Sequence, residues 1–341
     1  MTSVSPAPKP MLAPPTMGAP LPLTVVRSLD LVNHPQAGRP AFIAAGSSLQ
    51  LLGNHAYVMA DDELHLGHFP ATGSTNAPGT MVRALPGPDL PLDVTARKEL
   101  KPDIESLTHL PGDGTAAHPS MLVGVPSGSK PNRTVGFTWA LDDTGAVVGS
   151  PAVLDFAPLY DALKGRTTGK LNIEGAAIQG ANLVLFHRGN SRNGIPASIT
   201  LDLAKVNEQA RGEGKLGKSA IKDVIEYDLG SLDGTRLGFT DATPLPGNRI
   251  GFTAAAEVTN DPVNDGEIKG SVVGVLGPDG RIEQVRQVGG PGFKVEGIAP
   301  LQSAQGTSLL TGDGHVQLRL VTDADDPGTA SQMLAATLDL G

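Results

Sequence analysis

A short motif returns along the chain at intervals that each hold one small sheet. Four segments share a frame in which an acid is followed by a small residue and an apolar stretch. They are Ile104-Glu105-Ser106-Leu107, Ile173-Glu174-Gly175-Ala176, Thr240-Asp241-Ala242-Thr243 and Val295-Glu296-Gly297-Ile298. A fifth, Gly46-Ser47-Ser48-Leu49, fits with Ser47 at the acid position. Positions 47, 105, 174, 241 and 296 are separated by 58, 69, 67 and 55 residues. The remnants at the two ends, 45 residues after position 296 and 26 between Leu21 and Ser47, together make one further unit of 71.

Between these motifs the apolar runs are short and turn dipeptides separate them. Leu183–Phe186 precedes Gly189-Asn190, and Val272–Leu276 precedes Pro278-Asp279-Gly280. This is the grammar of strands and hairpins. The 43 glycines and 29 prolines are its punctuation, and with 39% hydrophobic residues the chain can still bury a core. Two short segments, Pro158–Lys164 and Ala204–Arg211, are the helix candidates. A unit of 55–71 residues with about four strands is a propeller blade with generous loops. The expectation is therefore an all-β, five-bladed propeller, with six blades as the alternative count. The strand Leu23–Leu31 should close the ring as the outer strand of the last blade, which hides its edge. Residues 1–22, with seven prolines, are expected to be a flexible arm, and residues 23–341 one domain.

Composition excludes several classes. There is no cysteine, hence no disulfide or thiolate chemistry. A net charge of −9 without a basic block argues against nucleic acid or an anionic membrane as partner. No apolar run reaches a membrane span, and the N-terminus lacks the apolar core of a secretion signal, so a cytoplasmic monomer is expected.

In a propeller the inner strands line a central channel, so Ser47, Glu105, Glu174, Asp241 and Glu296 should converge on one axis. Four converging carboxylates repel one another and lose hydration. A hard divalent cation relieves both costs. Calcium, which accepts six to eight oxygens at loose geometry, fits better than magnesium with its strict octahedron. No convergent histidine set suggests zinc. The alternative is that the acids cap inner strands or face channel water.

Phe293-Lys294-Val295-Glu296-Gly297-Ile298 resembles an inner-strand segment of the soluble calcium-dependent apyrases, and Ile173-Glu174-Gly175-Ala176 is similar to another. The resemblance implies five blades and one axial calcium held by inner-strand Glu and Ser residues. Acid-Gly inner strands also occur in phytase-like esterase propellers. The chain looks closer still to an uncharacterised bacterial propeller family with these motifs.

Loops returning to the same face add a second ring: Asp61-Asp62, Ser127–Arg133, His187–Asn190, Glu257–Asp261 and Asp323–Asp326. Within it Lys130, Arg133, His187, Arg188 and Arg192 would form a cationic arc suited to phosphate. His187 and Arg188 are the catalytic candidates. Lys130, Arg133, Asn190, Arg192 and Asp323 are the candidates for binding substrate. Arg188 has the alternative of an ion pair with Glu174. Two functions follow. One is a metal-dependent hydrolase of phosphorylated or ester small molecules. The other is a non-catalytic propeller with a structural calcium and a small anionic molecule or a protein at its mouth.

Gly212–Ser219 matches a P-loop letter for letter, but lacks the strand before and the helix after it, and reads as a loop. His65 and His68, three apart on a strand, should face opposite sides as surface residues.

Overall fold

The computed structural model describes residues 11–12, 16–71, 77–115, 117–259, 266–289, 294–303, 305–308 and 310–341. Among them are five sheets, each built on an antiparallel meander. Blade 1 comprises Gly46–Leu52, His55–Ala60, His65–Pro70 and Thr80–Arg83. Blade 2 comprises Ile104–Leu110, Met121–Pro126, Val135–Ala140 and Ala152–Asp155. Blade 3 comprises Ile173–Gln179, Asn182–His187, Ala197–Asp202 and Ile221–Glu226. Blade 4 comprises Thr235–Leu245, Arg249–Glu257, Ile268–Leu276 and Ile282–Val288, with the two-residue strand Ser231–Leu232 on its inner edge. Blade 5 comprises Lys294–Pro300, His315–Asp323 and Gln332–Asp339, completed by Thr24–Ser28. The first strand of each blade touches the first strand of the next, and blade 5 returns to blade 1. The molecule is a five-bladed β-propeller, and the six-bladed alternative falls.

The core explains why the strands are apolar on both faces. Five clusters of buried side chains lie one between each pair of neighbouring blades. In blade 3, Leu183 and Leu185 face blade 2, whereas Val184 and Phe186 face blade 4. Side chains alternate along a strand, so a run apolar at every position feeds two interfaces at once. Phe186, Phe239 and Phe252 meet edge to face, with centroids 5.0 and 5.1 Å apart. Each such pair contributes about 0.5–1.5 kcal/mol beyond the area it buries.

Ring closure follows the expected route. Thr24–Ser28 runs antiparallel to Gln332–Asp339, pairing Thr24 with Ala335 and Ser28 with Gln332. Part of the segment expected as an arm is also built into the ring. Gly18–Leu21 lies parallel to Ile282–Val288 of blade 4, and Leu12 bridges Tyr227. The arm's residues 1–10 and 13–15 lie outside the described set.

Among the described residues three short α-helices decorate the blades: Val94–Leu100, Ala157–Leu163 and Leu203–Ala210. The last two answer the helix candidates, while the first is new. It is capped by Asp93, which accepts from the Ala96 amide at 2.8 Å. None of the helices is long and apolar enough to cross a membrane. Gly212–Ser219 lies between the two outer strands of blade 3, follows a helix rather than a strand, and leads into a single 3-10 turn. It has none of the context of a phosphate-binding loop.

Candidate metal centre on the propeller axis

Each inner strand carries a bulge near its start, where the pairing register skips one residue. The skipped residues are Ser47, Glu105, Glu174 and Glu296 in blades 1, 2, 3 and 5. A bulge re-aims its extra side chain, here at one end of the channel. In blade 4 the skipped residue is Thr240, because Phe239 pairs with Ala254 and Asp241 already pairs with Thr253. Asp241 therefore does not belong with the glutamates. It occupies the position of Ser48, Ser106, Gly175 and Gly297, one step further along the axis.

That second tier is a clamp. Asp241 accepts from the amides of Ala242 (2.8 Å) and Ile298 (3.0 Å), and from the hydroxyls of Ser48 (3.2 Å) and Ser106 (3.3 Å). Ser48 in turn accepts from the Leu107 amide at 2.7 Å. One carboxyl thus ties blade 4 to blades 1, 2 and 5. Burial pushes the Asp241 carboxyl well above the usual range, although all four donors pull the other way. Blade 3 supplies Gly175 here: a Cβ on it would stand 2.9 Å from the Asp241 and Ala242 backbone.

In the first tier, one oxygen each of Glu105, Glu174 and Glu296 lie within 4.8 Å of one another. Glu105 belongs equally to a second trio with Asp61 and Asp103. Thr240 and Ser47 stand aside: Thr240 donates to the Val295 carbonyl at 2.8 Å, and Ser47 to the Ala45 carbonyl at 3.2 Å. So Glu105, Glu174 and Glu296 of the five residues expected to bind metal converge, Asp241 sits one tier further along, and the Ser47 hydroxyl is held between the Ala45 carbonyl and the Asp61 amide.

A third set stands two residues before the bulge, where a strand side chain returns to the same side: Ala45, Asp103, Asn172, Gly238 and Lys294. Asn172 donates to Glu174 at 2.5 Å, and Lys294 lies 3.2 Å from Glu296. Asp103 adopts the left-handed backbone region, with φ +59°. Its carboxylate pairs with Lys101 (2.8 Å) and Arg133 (2.7 Å), and accepts from Ser127 and Ser129. Lys101 also pairs with Asp61. Gly238 is needed because the Arg188 stem crosses it: a Cβ would meet Arg188 Cγ at 2.9 Å. The Arg188 guanidinium then reaches Glu257 (2.6 Å), Glu174 (3.2 Å) and Glu296 (3.6 Å). Lys294 further pairs with Asp325 (2.7 Å) and Asp323 (3.6 Å).

These groups line a cavity of about 140 Å³ at the mouth of the channel, with nine carboxylates against six cationic side chains. With every group ionised the lining would carry three more negative than positive charges. Burial lifts the Glu174 carboxyl to about 8; Arg188 opposes this and Glu296 adds to it. Glu105 is pushed well above the usual range by burial, then by Asp103, Glu174 and Asp61. Burial also lifts Asp61 to about 6 and Asp323 well above its ordinary value. For Arg188 and Lys294 burial disfavours the charge, but the surrounding carboxylates outweigh it and raise both well above their ordinary values. The cavity attracts positive charge, not phosphate.

The expected cationic arc does not form. Arg188 and Arg133 are buried in the ion pairs above, as the Glu174 alternative for Arg188 anticipated. Lys130 pairs with Glu99 at 2.8 Å away from the cavity, and Arg192 is exposed on a loop outside its lining. Asn190 accepts from Asn172 at 3.4 Å and lines a neighbouring cleft with Arg236 and Glu257. Asp323 does line the cavity, as expected of a residue at its mouth. His187 is fully buried and its ring does not reach the cavity. Nδ1 accepts from the Asn172 amide at 3.1 Å, which leaves Nε2 to donate toward the Thr168 carbonyl at 3.4 Å. This is a structural histidine, and its expected place as a base at the mouth is corrected. Asn260 and Asp261 of the expected rim, and Phe293 of the inner-strand motif, lie outside the described residues. His65 is buried beside Glu63 (3.4 Å) instead of lying at the surface, and His68 is half-buried against His55.

Fits to solved structures are loose. A luciferin-regenerating enzyme is 8% identical with a TM-score of 0.40, covering 88% of this chain and 93% of that one. A mannose phosphorylase from Leishmania mexicana is 14% identical with a TM-score of 0.45, covering 93% and 89%. A GDP-Man-dependent mannosyltransferase from the same organism is 12% identical with a TM-score of 0.40, covering 87% and 88%. Likeness at this level does not bear on chemistry. No curated protein matches the sequence. The chain belongs to the family of unknown function DUF6929, which matches residues 42–338.

Proposed function

We propose that this propeller is a calcium-dependent binding protein whose axial cavity holds a divalent cation at Glu105, Glu174 and Glu296. The observation that carries the reading is Glu105. The residue is only 6% exposed and lines the cavity, yet its carboxylate has no hydrogen bond or ion pair to any described residue. Every other buried carboxylate of the cavity has a cationic partner. Glu296 Oε1 adds a second opening: Lys294 and Arg188 lie within ion-pair range, but neither hydrogen-bonds it. An all-oxygen donor set suits a hard cation. Two positive charges beside Glu105 and Glu174 would favour the ionised form of carboxyls that burial otherwise pushes toward the protonated form.

Glu105, Glu174 and Glu296 would hold the ion, and Asn172, Arg188 and Lys294 orient two of those carboxylates. When bound, a divalent cation would supply positive charge in a cavity whose charged lining is mostly acidic. A small anionic molecule or an acidic side chain of a protein could be held there through the ion. The side chains expected to carry hydrolysis of phosphorylated or ester compounds, in the manner the apyrase resemblance implies, are not free at the mouth. His187 is turned away, and Arg188 and Arg133 are committed to carboxylates. Binding is therefore the reading the geometry supports best.

Calcium titration by isothermal calorimetry tests it. One equivalent should bind to the wild-type chain, and Glu105→Gln should weaken that binding at least tenfold with the fold intact. Equal affinity in both proteins overturns the assignment.

A further inference from the structure

On the rim away from the axial cavity, blade 1 carries a second cluster of metal-ligating groups with different chemistry. His55 begins the second strand of the blade and His68 sits in the third. Tyr57 is the direct cross-strand partner of His68, so His55 and His68 are diagonal neighbours on one face. His55 Nδ1 and His68 Nε2 are 2.8 Å apart. The two rings and the Tyr57 ring form a near-parallel pile: His55 and His68 centroids are 5.0 Å apart, and Tyr57 and His68 centroids 5.2 Å. Tyr57 is itself locked, donating to the Gly145 carbonyl and accepting from the Val147 amide, both at 3.0 Å. The imidazoles are thus held from below by a fixed aromatic floor, while both remain partly open to solvent.

We propose that His55 and His68 form a two-histidine site for a borderline transition cation such as nickel(II), copper(II) or zinc(II). Imidazole nitrogen is the preferred protein ligand of these ions, and calcium does not compete for it. The nitrogens that face each other are the ones a metal takes. With bonds of about 2.0 Å, two ligands at right angles are ~2.8 Å apart and two at the tetrahedral angle ~3.3 Å. The rings need to pivot only so far that their lone pairs converge. The proton now shared between Nδ1 of His55 and Nε2 of His68 passes through solvent to the remote nitrogen of its own ring. Both rings stay neutral imidazoles, and the balance needs no other reactant. Asp142 sits on the blade 2 turn whose Gly145 carbonyl and Val147 amide hold the Tyr57 hydroxyl. Its Oδ1 accepts from Thr144 and Ala146, and its other oxygen has no hydrogen bond among the described residues. That negative charge favours a cation at the pair, and water completes the coordination.

The test uses the tag-free full chain in buffer saturated with calcium, titrated with nickel, copper and zinc chlorides. At least one of these ions should bind with a stoichiometry of one and micromolar affinity. His55→Ala and His68→Ala should each weaken it tenfold or more, while Glu105→Gln leaves it unchanged. Proton NMR of the wild-type imidazoles should broaden or shift two histidines first, and these should be the two signals missing from the variants. Circular dichroism confirms that the variants fold. If one falls short, His68→Gln, which keeps a polar side chain, replaces it. Absence of binding by all three ions, or binding that survives loss of either histidine, overturns the proposal. So does binding lost with Glu105→Gln, which would place the metal on the axis.

Discussion

Replacing Asp241 by alanine removes the acceptor that joins four of the five blades. The Ala242 and Ile298 amides, at 2.8 and 3.0 Å, would then be buried with no partner. Each orphaned amide costs about 1–3 kcal/mol, so the pair predicts a loss of ~2–6 kcal/mol. The Ser48 and Ser106 hydroxyls can rotate toward other acceptors and add little. Against a total stability of about 5–15 kcal/mol, such a loss is large. Asp241→Asn keeps one oxygen of the right shape and should fall between wild type and alanine. Urea unfolding followed by circular dichroism provides the measurement. The midpoint should move down with an unchanged slope, since the surface exposed on unfolding is the same. A loss below about 0.5 kcal/mol for Asp241→Ala would refute the reasoning, because a clamp on two buried amides cannot be removed so cheaply.

Other consequences follow from the axial charges. The raised carboxyls of Glu174, about 8, and Asp61, about 6, bind protons more tightly folded than unfolded. In chelator the melting temperature should therefore fall as pH rises from about 5 to 8, and calcium should restore more at pH 8 than at pH 5. A melting temperature in chelator that is flat or rises over that range contradicts the charge excess. Arg188→Ala leaves Glu174, Glu257 and Glu296 without their shared cation and should cost about 3–5 kcal/mol in denaturant unfolding. A change under 1 kcal/mol would mean that the guanidinium is not what neutralises them.

The blade count was legible because each inner strand must repeat the same solution to the same geometry, a bulge followed in four of the five blades by glycine or serine. The one-residue error in blade 4 shows the limit of reading by acid alone. Thr240-Asp241-Ala242 fits either frame, and only backbone pairing with Thr253 decides between them. A signal was present: Ile104, Ile173 and Val295 precede the bulge residues, and their counterpart is Phe239 rather than Thr240. The charged residues at the mouth were harder to read. Lys101, Asp103 and Lys294 stand just before inner-strand motifs, but whether such a charge meets its opposite depends on how neighbouring blades pack. His187 and Arg188 illustrate this. They are adjacent at a strand end, yet one turns into the blade and the other onto the axis. Arg188 can do so only because distant Gly238 leaves room for its stem.

The axial site is tested most directly by diffraction from crystals grown with calcium and with a lanthanide substitute. The account predicts one anomalous peak on the axis, within about 2.3–2.6 Å of a Glu105 oxygen and close to Glu174 and Glu296. A refined axis with Glu105 protonated, no peak, and Arg188 and Lys294 as the sole cations would contradict it.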